Sequence, residues 1–506
     1  MSRTPNFAPP PGVDYSRKWW VMVAVAMGIF LGTIDGSIVN VALPTLVDEF
    51  ATSFAAVQWV VLGYLLTLAT LTLPIGRLGD MVGKKRIYTV GFGVFTLFSV
   101  LAGLAPSIHW LIGARIFQAV GAAMLFSLGL AIVTEAFPPN ERGRALGITG
   151  SIVSVGIVIG PTVGGLLIDG LSWRWIFFVN VPVGIIGTLT AIAFIPNLPP
   201  PGKQRFDFLG GATFFVALLS FMLSLTLGQD RGFSDAAVWG LMALAAVALV
   251  AFIAIERRTE QPMLDLTLFR NRLLSVNLIT GWITFIAVAG LLILLPFYLQ
   301  DVLGYEPREV GLLLAAAPIT LGIMAPISGV ISDRVGPRPV TVAGLAILVL
   351  AYLLAMSLGV DTTALHYIAV MIPIGIGMGV FQSPNNSAVM GSVPQQRLGV
   401  TSGMLAITRI TGQITGIAVL GAIWAARVAA ITGSTGDASE APATAQTAAL
   451  QDTILVVVIA MAGALALALW GWNVERRERQ TSAQAPKRSD SEPRVATPSE
   501  AGQPDR

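Results

Sequence analysis

Four residues able to hold a charge, steady one or pass a proton lie inside stretches that are otherwise almost wholly apolar: Asp35, Arg115, Gln118 and Glu135. A carboxylic acid held away from water favours its neutral form, so it can take up a proton and give it back. An arginine does not lose its own proton in a protein; its use is to steady a carboxylate, or to bind one when a proton leaves. Gln118 follows Arg115 by one helical turn and shares its face. Asp35 and Glu135 are both candidates for the acid that meets Arg115, although Glu135 falls near the end of its apolar run. Other chemistry has little to work with. The chain has no cysteine and only two histidines, His109 and His366, which is poor material for a metal centre. It lacks a G-x-x-x-x-G-K-[ST] phosphate loop and a clustered nucleophile and base, so neither an enzyme nor an organic cofactor or metal is expected.

The elements that carry these residues are set by composition. Of 506 residues, 54% are hydrophobic and 12% charged, with a mean hydropathy of +0.76; soluble domains carry about 25% charged residues. Fourteen apolar runs of roughly 20 residues lie between about 20 and 472, each long enough to cross a bilayer. The expected fold is an all-α integral membrane protein. An even number of crossings puts both ends on one side. Most of the 31 lysines and arginines fall in segments that would face the cytoplasm with the termini, the outer exceptions being Arg174, Arg231, Arg308 and Arg427. The basic balance therefore reads as membrane orientation and argues against nucleic acid as a partner. Trp19 and Trp20 fit an interfacial anchor. The loop from about 428 to 450 is small and polar and is expected to face outward and be mobile. The segment 473–506 is expected to be a disordered cytoplasmic tail.

An internal repeat divides the chain. GRLGDMVGKKR at 76–86 and GVISDRVGPRP at 329–339 share the pattern G-x-x-x-D-x-x-G, each after the second helix of a six-helix set. The separation exceeds six helices by about two. The expected organisation is a cytoplasmic segment 1–19, a six-helix bundle 20–200, an inserted helix pair 201–260 and a second six-helix bundle 261–472. Two related halves suit alternate exposure of a central site. A channel would need a continuous polar lining, for which few embedded charges are present. In GITGSIVSVGIVIGPTVGG, Gly147, Gly156, Gly160, Pro161, Gly164 and Gly165 give up helix stability. Gly156, Gly160 and Gly164 recur every four residues and form a smooth face for a partner helix, and Pro161 bends the run. Asn40, Gln382, Asn385, Asn386, Arg409 and Gln413 are candidate polar residues of a largely apolar cavity.

Taken together, these segments resemble the major facilitator superfamily, in particular its fourteen-helix drug:proton antiporter branch, the EmrB/QacA-like group. TIDGSIVNVALP at 33–44 resembles that branch's helix 1 signature, LIGARIFQAVG at 111–121 its helix 4 motif, WRWIFFVNVPVG at 173–184 its helix 6 opening, and the glycine spacing of 147–165 its antiporter motif. The resemblance implies two six-helix bundles plus two additional helices, and proton-coupled export of lipophilic compounds, cationic ones included. It implies a coupling role for Arg115, with Asp35 and Glu135 both open as its acidic partner, and a cytoplasmic latch from Gly76, Arg77, Asp80, Gly83, Lys84, Lys85 and Arg86, with a second copy at Asp333 and Arg334. The partners it implies are protons, small lipophilic substrates and the lipid bilayer of the inner membrane, with the protein working as a monomer. A dedicated exporter of an amino acid, siderophore, lipid or endogenous antibiotic is the alternative within the same family.

Overall fold

The computed structural model describes residues 14–138, 141–197, 207–259, 269–392, 398–433 and 436–484, in which every regular element is helical. The first half comprises α1 (Lys18–Phe50), α2 (Phe54–Val82), α3 (Lys84–Gly103), α4 (Ile108–Ala136), α5 (Arg142–Gly170), and a sixth span made of α6 (Trp175–Phe178) and α7 (Asn180–Phe194). Two further helices follow, α8 (Phe208–Arg231) and α9 (Ala236–Glu256). The second half comprises α10 (Arg272–Phe297), α11 (Pro307–Leu314) continued by α12 (Ala316–Val335), α13 (Pro337–Ala355), α14 (Ala364–Gly391), α15 (Leu398–Thr432) and α16 (Ala443–Gln484). Among the described residues 13 helical spans are long and apolar enough to cross a membrane. The 29-residue α5 completes the fourteen. Large apolar side chains, Trp19, Trp20, Trp110, Trp175, Trp239 and Trp470 among them, stand exposed on the outside, as lipid-facing surface and interfacial anchors require.

The two halves repeat one packing scheme. α1 lies on α5 as α10 lies on α15, α2 and α3 lie on α4 as α12 and α13 lie on α14, and α7 packs on α1 and α3 as α16 packs on α10 and α13. The repeated loop motif is built alike in both. Gly83 at φ +107° ends α2 and Gly336 at φ +88° ends α12, a backbone region open to glycine at no steric cost. One turn structure thus closes the second span of each half and starts the third.

α8 and α9 pair with each other, and α8 touches both α2 and α15. They cover one seam between the halves. Along the other seam α5 meets α11 so closely that a Cβ on Gly165 would stand 2.3 Å from the Pro307 carbonyl oxygen, and one on Gly311 2.3 Å from that of Pro161. At the ends of the bundle farthest from the termini, the Gln300 amide donates to the Val41 carbonyl at 3.1 Å, and Phe54 N–H donates to the Asp437 carboxylate at 2.8 Å. The ring of Phe54 also meets Phe297 and Trp424, centroids 4.9 Å away in each case. The halves are drawn together at this distal end.

Two expectations are corrected. The 428–450 segment is packed: α15 continues to Thr432, a short turn of helix spans Ala438–Glu440, and α16 begins at Ala443. Its polar side chains are spent on capping. Asp437 accepts from Phe54 N–H, and the Gln446 amide donates to the carbonyls of Ser439 and Ala441 at 2.8 and 2.9 Å. At the C-terminus the helix reaches Gln484, because the Glu, Arg and Gln residues after Trp472 are good helix formers that extend an existing helix. Residues 485–506, and the linkers 198–206 and 260–268, lie outside the described residues.

Candidate functional site: a buried acid and arginine in the first half

The site is assembled by four spans. α1 supplies Asp35, α3 Ser99, α4 Arg115 and Gln118, and the start of α7 supplies Asn180. Asp35, Ser99 and Gln118 have no exposed surface, and Arg115 and Asn180 only 1%. The break between α6 and α7 delivers Asn180 to the centre of the bundle, where Asp35 is held. One carboxylate oxygen of Asp35 accepts from Arg115 Nη1 at 2.5 Å. The other accepts from Gln118 Nε2 and from Asn180 Nδ2, each at 3.0 Å. Gln118 Nε2 also donates to Ser99 Oγ at 2.6 Å, and its Oε1 accepts from Arg115 Nη1 at 2.6 Å.

Arg115 has further partners. Its Nε donates to the Val60 carbonyl at 3.3 Å, and its guanidinium lies over the Tyr64 ring, 4.2 Å from the centroid. A buried charge is tolerable when paired and hydrogen-bonded, and here three donors, from Arg115, Gln118 and Asn180, converge on the Asp35 carboxylate. The network is a socket for the Asp35 carboxylate, built wholly within the first half.

Of the two acids proposed for Arg115, the structure brings it Asp35. Glu135 is a helix length away and pairs with Lys84. Ser99 and Asn180 are members that the sequence did not single out. Asn180 lies within the 173–184 motif, and a polar residue immediately before Val-Pro in an apolar run was the available signal; for Ser99 there was none, since serine is common in membrane helices.

The glycine motif lies against the same helix as Asp35. A Cβ on Gly156 would stand 2.1 Å from Thr33 Oγ1 and one on Gly160 1.9 Å from Ser37 Oγ, with Gly164 against Ile38. Ser37 Oγ donates to the Gly156 carbonyl at 3.2 Å. The opposite side of the motif, at Pro161 and Gly165, touches α11 of the second half. Gly147 begins the same helix, in a part whose surroundings lie outside the described residues.

The remaining candidates are scattered. Asn40 is buried and donates to the Gly36 carbonyl of its own helix. Asn385 is buried beside Gly281, Gln382, Arg409 and Gln413 are half-buried, and Asn386 is exposed. Of the loop residues, Gly76 faces Ser127 as Gly329 faces Ser383 in the second half. Lys85 is half-buried, and Arg86, Asp333 and Arg334 are exposed; the side chains of Arg77 and Asp80 lie outside the described residues.

Two six-helix halves related by a repeat, closed at one end, with a buried acid and arginine inside one of them, define a secondary transporter of the two-bundle class. The chain belongs to the Major Facilitator Superfamily, whose family model matches residues 25–417. It is 36% identical over 394 residues to the Riboflavin transporter RibZ of Clostridioides difficile, covering 78% of this chain and 85% of that one. It is also 36% identical over 410 residues to the Multidrug resistance protein Stp of Mycobacterium tuberculosis H37Rv, covering 81% and 76%. A similar fold occurs in a bacterial homologue of the human lysosomal transporter Spinster in its inward-facing, unoccupied conformation, with TM-score 0.64, 20% identity, and 90% and 97% of the two chains covered.

Proposed function

We propose that this protein is a proton-coupled exporter of lipophilic compounds that works by alternating access, in the fourteen-helix drug:proton antiporter branch, in the inner membrane with both termini cytoplasmic. The observation that carries the reading is the Asp35 carboxylate, buried without contact to solvent and clamped by Arg115, Gln118 and Asn180. When Asp35 is ionised, it holds α1, α4 and α7 in one arrangement. A proton arriving on the oxygen that faces Arg115 removes the ion pair, and Arg115 is left with Gln118, the Val60 carbonyl and the Tyr64 ring. The helices that share the acid are then free to shift.

A physical path leads from that change to the seam between halves. Ser37 stands two residues beyond Asp35 and seats α1 on Gly156 and Gly160 of α5; the other side of α5 meets Gly311 of α11. Movement of α1 is passed to α5 by contacts with no slack, and α5 is one of the helices that close the distal end. Protonation and substrate binding then favour different conformational basins, which is what coupling requires.

The relatives support both the drug and the metabolite versions of this reading, since one is named for multidrug resistance and another for riboflavin. A third, 31% identical over 433 residues, is a Probable actinorhodin transporter of Streptomyces coelicolor, which favours the dedicated exporter as the second reading. Substrate-induced proton release from proteoliposomes, tested with several unrelated lipophilic compounds and with Asp35→Asn in parallel, separates them. Release with many compounds, abolished by the substitution, supports the multidrug antiporter; release with a single metabolite supports the second reading. Coupled transport retained by Asp35→Asn overturns the role given to Asp35.

A further inference from the structure

The interiors of the two halves are charged differently. In the first, Arg115 is matched by Asp35. In the second, α10, α13, α14 and α15 contain no Asp or Glu, and the other acids of its spans whose side chains are described, Asp301 in the turn after α10, Glu309 of α11, Asp333 of α12 and Asp452 of α16, lie toward helix ends. Arg409 lies within α15, about 16 Å along its axis from the start at Leu398 at 1.5 Å per residue. It is half-buried, and no described residue gives it a hydrogen bond or an ion pair. With Asp35 ionised, this leaves a net positive charge within the bundle.

The direction of Arg409 follows from its own helix. Trp424 of α15 meets Phe54 of α2 and Phe297 of α10, so it faces the place where the halves converge. Leu420, Gln413 and Arg409 precede it at intervals of four, seven and four residues, which keeps them on one stripe of a helix. Gly412 and Gly416, on the adjoining stripe, are pressed against the backbone of α10 at Trp282 and Ile286. Arg409 and Gln413 therefore point between α10 and the first half. Next to Arg409, Thr408 and the Asn385 amide both reach the gap over Gly281. Asn385 and Asn277, one turn before Gly281, each keep a buried amide atom with no partner. Unmatched polar valences and an unmatched cation occupy the same region.

We propose that Arg409 anchors an anionic group of the transported compound, so that the substrate class is lipophilic anions, with the aromatic or aliphatic frame held by the apolar walls. A membrane-embedded charge is expensive unless something pairs with it, and a carboxylate, sulfonate or phenolate on the cargo supplies what the chain omits. The inside-negative membrane potential assists outward movement of an anion. This inference rests on the exporter reading, and refines its substrate class away from cations.

The test uses two dyes with the same aromatic frame: 1-anilinonaphthalene-8-sulfonate, an anion, and N-phenyl-1-naphthylamine, which lacks the sulfonate. Binding to the full chain in nanodiscs is measured by equilibrium dialysis against empty nanodiscs. Arg409→Gln is expected to weaken binding of the anion by about tenfold or more, the size of a charge-assisted contact, with the neutral dye changed by less than about twofold. Arg409→Lys retains most of the anion binding. Gln413→Glu, which sets a carboxylate one turn from Arg409, reproduces the loss for the anion with the arginine still present, and serves where Arg409→Gln does not fold. Failure of the unaltered protein to bind the sulfonate, an unchanged anion affinity in both variants, or equal losses for the two dyes overturns the inference. Proton release, measured separately, decides the exporter reading: anion selectivity without proton movement leaves the Arg409 site standing and removes the antiport.

Discussion

Asp35 and Arg115 are expected to be energetically coupled, and a double-mutant cycle on Asp35→Asn, Arg115→Gln and the double variant measures this. Removing one member of a buried ion pair costs about 3–5 kcal/mol, because the other charge is left uncompensated. The structure places both single variants toward the lower figure. After Asp35→Asn, Arg115 keeps the Gln118 oxygen at 2.6 Å, the Val60 carbonyl at 3.3 Å and the Tyr64 ring, the last a contact worth about 0.5–2 kcal/mol. After Arg115→Gln, Asp35 keeps two amide donors at 3.0 Å and can become neutral by taking a proton. Each single variant is therefore expected to lose about 3 kcal/mol. In the double variant no charge remains to be satisfied, and the loss is expected to fall short of the sum by about 2–3 kcal/mol, in the range found for residues in one network. Unfolding in mixed micelles with increasing anionic detergent, followed by tryptophan fluorescence, gives all four stabilities. Additivity to within about 0.5 kcal/mol would refute the socket as described, since a shared ion pair cannot be lost twice.

Asn180→Ala removes one donor to Asp35 and is expected to cost about 1–3 kcal/mol, with proton-coupled transport reduced in the same proteoliposome assay; full activity would place Asn180 outside the coupling network. Gly160→Val puts side-chain atoms where Ser37 Oγ already stands, 1.9 Å from the first carbon added, and is expected to abolish transport or folding, whereas Gly170→Ala, with open space around it, is expected to be neutral in both. Gly336→Ala forces a side chain into a backbone at φ +88° and should lose about 1–2 kcal/mol in the unfolding assay. Asp437→Ala leaves Phe54 N–H without its acceptor, which should cost about 1 kcal/mol and open the distal end more often, read as longer distances between spin labels on α5 and α11.

The spans, the repeated loop motif and the candidacy of Asp35, Arg115 and Gln118 were legible because each departs from a uniform background; which acid meets Arg115 was not, since Asp35 and Glu135 both qualified. A charge in an apolar run, or a glycine every fourth position, stands out against Leu, Val and Ile. Ser99 does not, as a single hydroxyl can satisfy itself on the backbone of its own helix anywhere along a span. The 428–450 segment was misread for a different reason. Its small polar residues look like those of a free loop, yet Asp437 caps the start of α2 and Gln446 ties the turn before it to α16, and the Phe54 partner of Asp437 is visible only in three dimensions. Arg409 was legible as a polar residue within an apolar run, but its lack of an acid is a property of the neighbouring spans together and emerges only when they are assembled.

The helix pair α8 and α9 makes the molecule lopsided toward the lipid. By resting on α2 and α15 it covers one of the two lateral seams, while the seam between α5 and the α11–α12 span is closed by the packing of those helices alone, with no further span over it among the described residues. On the exporter reading, a compound dissolved in the acyl chains would meet two covering helices on one flank and a single helix-to-helix seam on the other. On that reading, entry from the leaflet is directional, and a neighbouring protein or a tightly held lipid settled against α5 and α12 would obstruct it without touching either embedded charge.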